Sequence, residues 1–241
     1  MADEYCKLIE AVSRIHDDRP SIHIRPHDDT TTCGTKSNVL LYGRHGDIKP
    51  SNVLWAESTQ RLVLPDFGLS ALQSTLSKEE QSGLQKFQMM TYRAPEFDVK
   101  EGIASRCSDV YGMACLFLEH ITLFLMGEDG VREFTSARLA EDQKLGWKKA
   151  DVFYTVSEDL QTATLKKEVK DWIEQLRRQP DCSRYIWRLL RLIETRMLEP
   201  DPANRITAKE LVAEQQTLQH LTALSDSFYQ KHWTETEHHR D

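Results

Sequence analysis

The chain has 241 residues, 39% of them hydrophobic, and its 31 Lys and Arg against 38 Asp and Glu give a formal charge of −7. That length suits one domain with a substantial core plus a tail, and the acidic balance argues against non-specific nucleic-acid binding, which needs a basic face. Five cysteines, at 6, 33, 107, 115 and 182, include no C-x-x-C pair, so reduced thiols in an intracellular protein are favoured over a disulfide framework or a zinc ribbon.

The start, "MADEYCKLIE", lacks a basic segment followed by a long apolar run, so no secretory signal is expected. Residues 4–16 place Leu8, Ile9, Val12 and Ile15 at helical spacing and predict an amphipathic helix. Residues 17–37, rich in Asp, Thr, His and Pro, read as a surface loop or polar insertion. His23, His27 and Cys33 fall inside it at spacings that match none of the usual zinc patterns. Next, "NVLLYGRHGDIKPSNVLW" sets two apolar runs around a polar centre, and "RLVLPDFGL" reads as a short strand and turn. Strands around such a loop would present its polar side chains at a cleft.

From Ser108 onward the pattern becomes helical. "SDVYGMACLFLEHITLFL" is apolar nearly all round, as expected of a helix buried in mid-domain. Ser108 or Asp109 is placed to cap its first turn. Glu119 and His120 interrupt the apolar run, which reads as too short and too polar to span a bilayer. "LKKEVKDWIEQLRRQ" and "SRYIWRLLRLIETRML" are amphipathic, and "TAKELVAEQQTLQHL" opens on Thr207 and Glu210 at capping-box spacing. Residues 226–241 read as a flexible polar tail.

The chemistry concentrates in "RHGDIKPSNVLW", residues 44–55. Asp47 can orient an attacking hydroxyl, and Lys49 sets a positive charge beside a transferring phosphoryl group. Asn52 and Asp66 are oxygen ligands of the kind Mg2+ takes, and the step of 14 positions between them leaves room for strand, turn and strand.

From Asn38 to about Leu221 the chain resembles the C-terminal lobe of a eukaryotic protein kinase. "HGDIKPSN", "DFG" and "APE" occur in that family's order, and "SDVYG" and "DPANRIT" extend the likeness. The resemblance implies a mainly α fold with a few short β-strands, a kinase-like C-terminal lobe over 1–225 carrying the 17–37 insertion, and a tail over 226–241. It implies that Asp47 is the catalytic base and Lys49 the phosphate-contacting lysine, with Asn52 and Asp66 binding Mg2+ and ATP. Asp109, supported by His45, would hold the catalytic loop from below, and Glu96 with Arg205 would tie the following segment to the helical base. In texture, "EVKDWIEQLRR" and "RMLEPDPANRIT" resemble kinases of filamentous fungi. The implied activity is a serine/threonine protein kinase of the cytoplasm or nucleus, acting on a protein substrate, with no nucleic-acid or membrane partner.

Two alternatives stay open: a non-catalytic kinase-like module that binds a partner, and a small-molecule phosphotransferase of the aminoglycoside and choline type. The latter shares "HGD" and the asparagine five residues on, but usually replaces Lys49 and lacks A-P-E. Gly46 stands where the family has an arginine that grips a phosphate, so phosphorylation between Asp66 and Glu96 is not expected to be the on-switch. Thr91 directly precedes Tyr92 and is a candidate support for Asp47 and Lys49. No G-x-G-x-x-G precedes His45, and the lysines ahead of it are Lys7 and Lys36. The N-terminal lobe is therefore expected to be missing, leaving weak ATP binding, little activity of the chain alone, and an exposed apolar surface open to a partner.

Overall fold

Helix α1 (Ala2–His16) turns Tyr5, Leu8, Ile9 and Val12 inward, the face its spacing predicts. The computed structural model describes residues 2–17, 41–64, 71–74, 90–103, 105–144 and 151–223. Residues 18–37 of the predicted 17–37 insertion, the tail 226–241 and Asp66 lie outside the described residues. Three two-stranded antiparallel sheets are present among them: β1 (Leu41–Arg44) with β4 (Ala71–Ser74), β2 (Leu54–Ala56) with β3 (Arg61–Val63), and β5 (Tyr154–Val156) with β6 (Ala163–Leu165). The further α-helices are α2 (Cys107–Lys144), α3 (Lys167–Arg177), α4 (Arg184–Leu192, running on as a π turn over Ile193–Met197) and α5 (Ala208–Ala223).

The first half of α2 is the axis of the core. Val110, Tyr111, Ala114, Phe117, Leu118 and Ile121 are fully buried. Tyr5 of α1 stacks on Phe117 with ring centroids 4.1 Å apart and shares a 2.8 Å hydrogen bond with His120 Nδ1. Helices α3 and α4 bring Val169, Ile173, Leu176, Leu189 and Leu190 to the same core, and α5 lies along α1. By length and composition the stretch Cys107–Ala140 would suffice to cross a membrane, contrary to the expectation that it is too short and too polar. The other helices pack around it instead, leaving Leu123 and Phe124 exposed at the end of its first half.

Beyond Met126 the helix breaks at Gly127, whose φ of 70° and ψ of −168° are open to a residue without Cβ. The second half returns Phe134 and Arg138 to the core. The capping box of α5 forms as its spacing predicts: Glu210 N–H donates to Thr207 Oγ1 at 3.2 Å, and Thr207 N–H to Glu210 Oε2 at 2.8 Å. The cap of α2 differs from expectation. Ser105 Oγ accepts from Cys107 N–H and Ser108 Oγ accepts from Ser105 N–H, both at 3.2 Å, while Asp109 is engaged elsewhere.

Candidate functional site

Residues 45–52 have no regular structure beyond one 3-10 turn at Pro50–Asn52, so the loop must be held from outside. Asp109, in the first turn of α2, does this with both oxygens. Its Oδ2 accepts from His45 N–H and its Oδ1 from Gly46 N–H, each at 2.8 Å, and His16 Nε2 of α1 lies 2.8 Å from Oδ2. Burial alone would push the carboxyl pKa up. The His16 hydrogen bond and charge, with the two loop amides, outweigh it and hold the group below its usual 3.8.

Gly46 has a φ of 82°, left-handed backbone that side chains resist. Glycine at this position therefore avoids the strain a side chain would meet. Replacing Gly46 by alanine is expected to cost about 1–2 kcal/mol, read as a lower midpoint of urea unfolding.

On this pinned loop three predicted residues converge. Lys49 Nζ donates to Asp47 Oδ2 at 2.6 Å, and Asn52 Nδ2 donates to the same oxygen and to the Asp47 carbonyl, both at 2.8 Å. Asp47 N–H donates to His45 Nδ1 at 3.3 Å. Neither Asp47 Oδ1 nor Asn52 Oδ1 accepts a hydrogen bond among the described residues. An open carboxylate oxygen suits a hydroxyl donor, and an open amide oxygen suits a hard cation such as Mg2+. Among the described residues no three His, Cys, Asp or Glu side chains cluster as metal ligands. A magnesium ion here would rest on Asn52, on Asp66 as the resemblance implies, and on nucleotide phosphate. Thr91 makes no hydrogen bond to Asp47 or Lys49, so its expected support of them is not seen.

The segment 90–103 closes the other side. Tyr92, Arg93 and Ala94 share with Asp47 and Asp109 the lining of a cavity of about 10 Å3, room for about one water. Glu96 forms a two-pronged pair with Arg205 at 2.9 and 2.8 Å, and Ser108 Oγ adds a 2.8 Å bond to the same carboxylate. The remaining guanidinium donors go to the carbonyls of Cys107, Glu199 and Pro200, so all five are satisfied.

Sequence reasoning missed a second buried network. Tyr92 OH donates to Glu119 Oε2 at 2.6 Å, and Glu119 Oε1 pairs at 3.0 Å with Arg138, which also grips Asp151. Arg138 is fully buried, with its guanidinium 4.1 and 4.4 Å from the ring centres of Phe134 and Phe153. Burial keeps Glu119 above the usual carboxylate range despite the arginine. The signal was Glu119 itself: a lone acid inside an apolar helix needs a partner.

Beside Asn52, Leu54 and Trp55 are half exposed, at 51% and 50%.

Residues 43–216 match the family model described as "Protein kinase domain". Over 102 residues the chain is 31% identical to cyclin-dependent kinase 14 of Homo sapiens and of Mus musculus, covering 42% of this chain and 19% of each of those proteins. Over 89 residues it is 33% identical to the serine/threonine-protein kinase ppk13 of Schizosaccharomyces pombe, covering 34% of this chain and 26% of that protein. The matches thus span about a fifth to a quarter of these relatives' own length.

Proposed function

Because the chain belongs to the protein kinase domain family, we propose that it supplies the helical half of a serine/threonine protein kinase site in the cytoplasm or nucleus. The observation that carries this is the pinned loop: Asp109 holds the amides of His45 and Gly46, and Asp47, Lys49 and Asn52 meet on the result. Asp47 Oδ1 receives the hydrogen bond of a serine or threonine hydroxyl and takes up its proton as the oxygen attacks. Lys49, already against the other oxygen, holds that carboxylate in place and faces the incoming negative charge. Asn52 fixes the Asp47 carboxylate through its amide nitrogen and offers Oδ1 to the cation. Bound Mg2+ and ATP supply the phosphoryl group and neutralise its charge.

No glycine-rich phosphate loop is present in the 241 residues, so nucleotide binding by this chain alone is weak. Gly46 brings no cation to a phosphorylated segment, so phosphorylation between Asp66 and Glu96 is not the switch.

Two measurements test the reading. Mn2+–ATP at millimolar concentration should broaden the amide signals of Asp47 and Asn52 first, and Asn52→Ala should abolish that broadening. Phosphoryl transfer to serine and threonine peptides, slow in the wild-type chain, should fall at least about a hundredfold in Asp47→Asn while thermal unfolding stays put. Transfer to small hydroxyl metabolites and not to peptides would sink it. A second reading, a non-catalytic partner-binding module, draws support from Leu54 and Trp55, exposed beside Asn52. Absence of both broadening and transfer would favour it.

A further inference from the structure

The β5–β6 hairpin has two strands, so β6 has a second edge. Lys166 N–H donates to Phe153 C=O at 3.0 Å and Ser157 N–H to Thr162 C=O at 2.9 Å. With Thr155 opposite Thr164, the bonds to β5 come from the even positions of β6. Ala163 and Leu165 therefore turn their N–H and C=O away from β5. These groups make no other backbone hydrogen bond among the described residues. An unpaired edge of this kind is a template for another strand.

Alongside this edge lies a groove of about 810 Å3 lined by residues 161–165. Val99, Leu198, Pro95 and Pro200 give it apolar walls. Its charge is one-sided. Glu96 and Glu194 are taken by Arg205 and Arg177; Glu199 and Asp201, which accept from uncharged N–H donors of their own turn, add two more carboxylates against Lys170, the one cation among the described lining residues.

We propose that this edge and groove are a docking site for an extended, basic segment of a protein partner, added as a third strand beside β6. Its backbone pairs with Ala163 and Leu165, alternate apolar side chains enter the groove, and lysine or arginine lies against Glu199 and Asp201. The site adjoins the catalytic one in sequence: Ala94 lines the cavity behind Asp47, while Pro95 and Glu96 line the groove. A partner held here sits beside the segment that closes the candidate active site. The inference stands whether or not the chain transfers phosphate.

The test is titration of the 15N-labelled 241-residue chain with a capped heptapeptide of alternating valine and threonine ending in lysine at both ends. Saturable shifts are expected at the amides of Val99, Ala163 and Leu165. The same peptide ending in glutamates, or N-methylated at alternate amides, should bind at least about tenfold more weakly. Ala163→Pro removes an outward N–H without touching a bond to β5 and should weaken binding by the same factor. Glu199→Lys should reverse the preference between the two charged peptides, and decides the matter if the proline variant unfolds. No binding of the lysine-ended peptide at about 1 mM, indifference to its ends, or strong exchange protection of Ala163 and Leu165 in the free chain would overturn the proposal.

Discussion

Replacing Glu96 by alanine is expected to lower stability by roughly 3–5 kcal/mol, because it leaves the guanidinium of Arg205 buried and uncompensated. Both side chains are essentially sealed from water, at 1% and 0% exposure, so solvent cannot take over the lost partner. Three backbone carbonyls would still hold Arg205, but they neutralise no charge. The segment 95–97 would detach from the base of α2, since Ser108 also loses its acceptor. Glutamine at 96 keeps the shape and part of the hydrogen bonding, and should cost about half as much. Replacing Glu96 and Arg205 together by apolar residues of similar volume should recover most of the loss. Chemical denaturation of the three variants checks the order; a cost below about 1 kcal/mol for Glu96→Ala would show that water reaches the arginine.

Asp109→Ala should be of similar size, roughly 3–5 kcal/mol, since it removes the acceptor of two loop amides and the partner of the His16 ring at once. Its signature differs in two ways. Amide exchange at His45 and Gly46 should quicken out of proportion to the global loss, because the Asp109 carboxylate accepts from both N–H groups. The acid limb of the stability profile should also flatten. The Asp109 pKa is depressed on folding, so its stabilisation is present above the unfolded value near 3.8 and is lost as pH falls through the lower folded value. A wild-type chain whose stability is level below pH 4, or an Asp109→Ala variant with an unchanged acid limb, would contradict this.

Much of this molecule was legible because its signals are local. The spacing of Leu8, Ile9 and Val12, the Thr207–Glu210 box and the order of "HGDIKPSN", "APE" and "SDVYG" each need only a few neighbouring residues to be read. The loop's own chemistry was legible for the same reason, since Asp47, Lys49 and Asn52 lie within six positions and one 3-10 turn brings them together. Resemblance also picked out Asp109 and the Glu96–Arg205 pair, 109 positions apart, which no periodicity could have found.

Other features had no local signal. The hairpin over 154–165 carries little apolar alternation, and its place is set by contacts with the segment around Val99 and Lys100, whose N–H donates to the Leu160 carbonyl at 2.8 Å. Glu119 read as an interruption of an apolar run, and only its distant partners Tyr92 and Arg138 make it an anchor. Asp109 read as a helix cap by position, yet two amides of the loop it faces and the ring of His16 on α1 make a stronger claim on a buried carboxylate than its own helix end.

By itself the sequence determined the helices, the catalytic-looking loop and the family, because periodicity and motif order are properties of neighbouring residues. Tertiary structure alone decided which charges face one another and which edges stay open. Burial makes a charge or a backbone amide depend on whatever partner lies across the core, however far away along the chain.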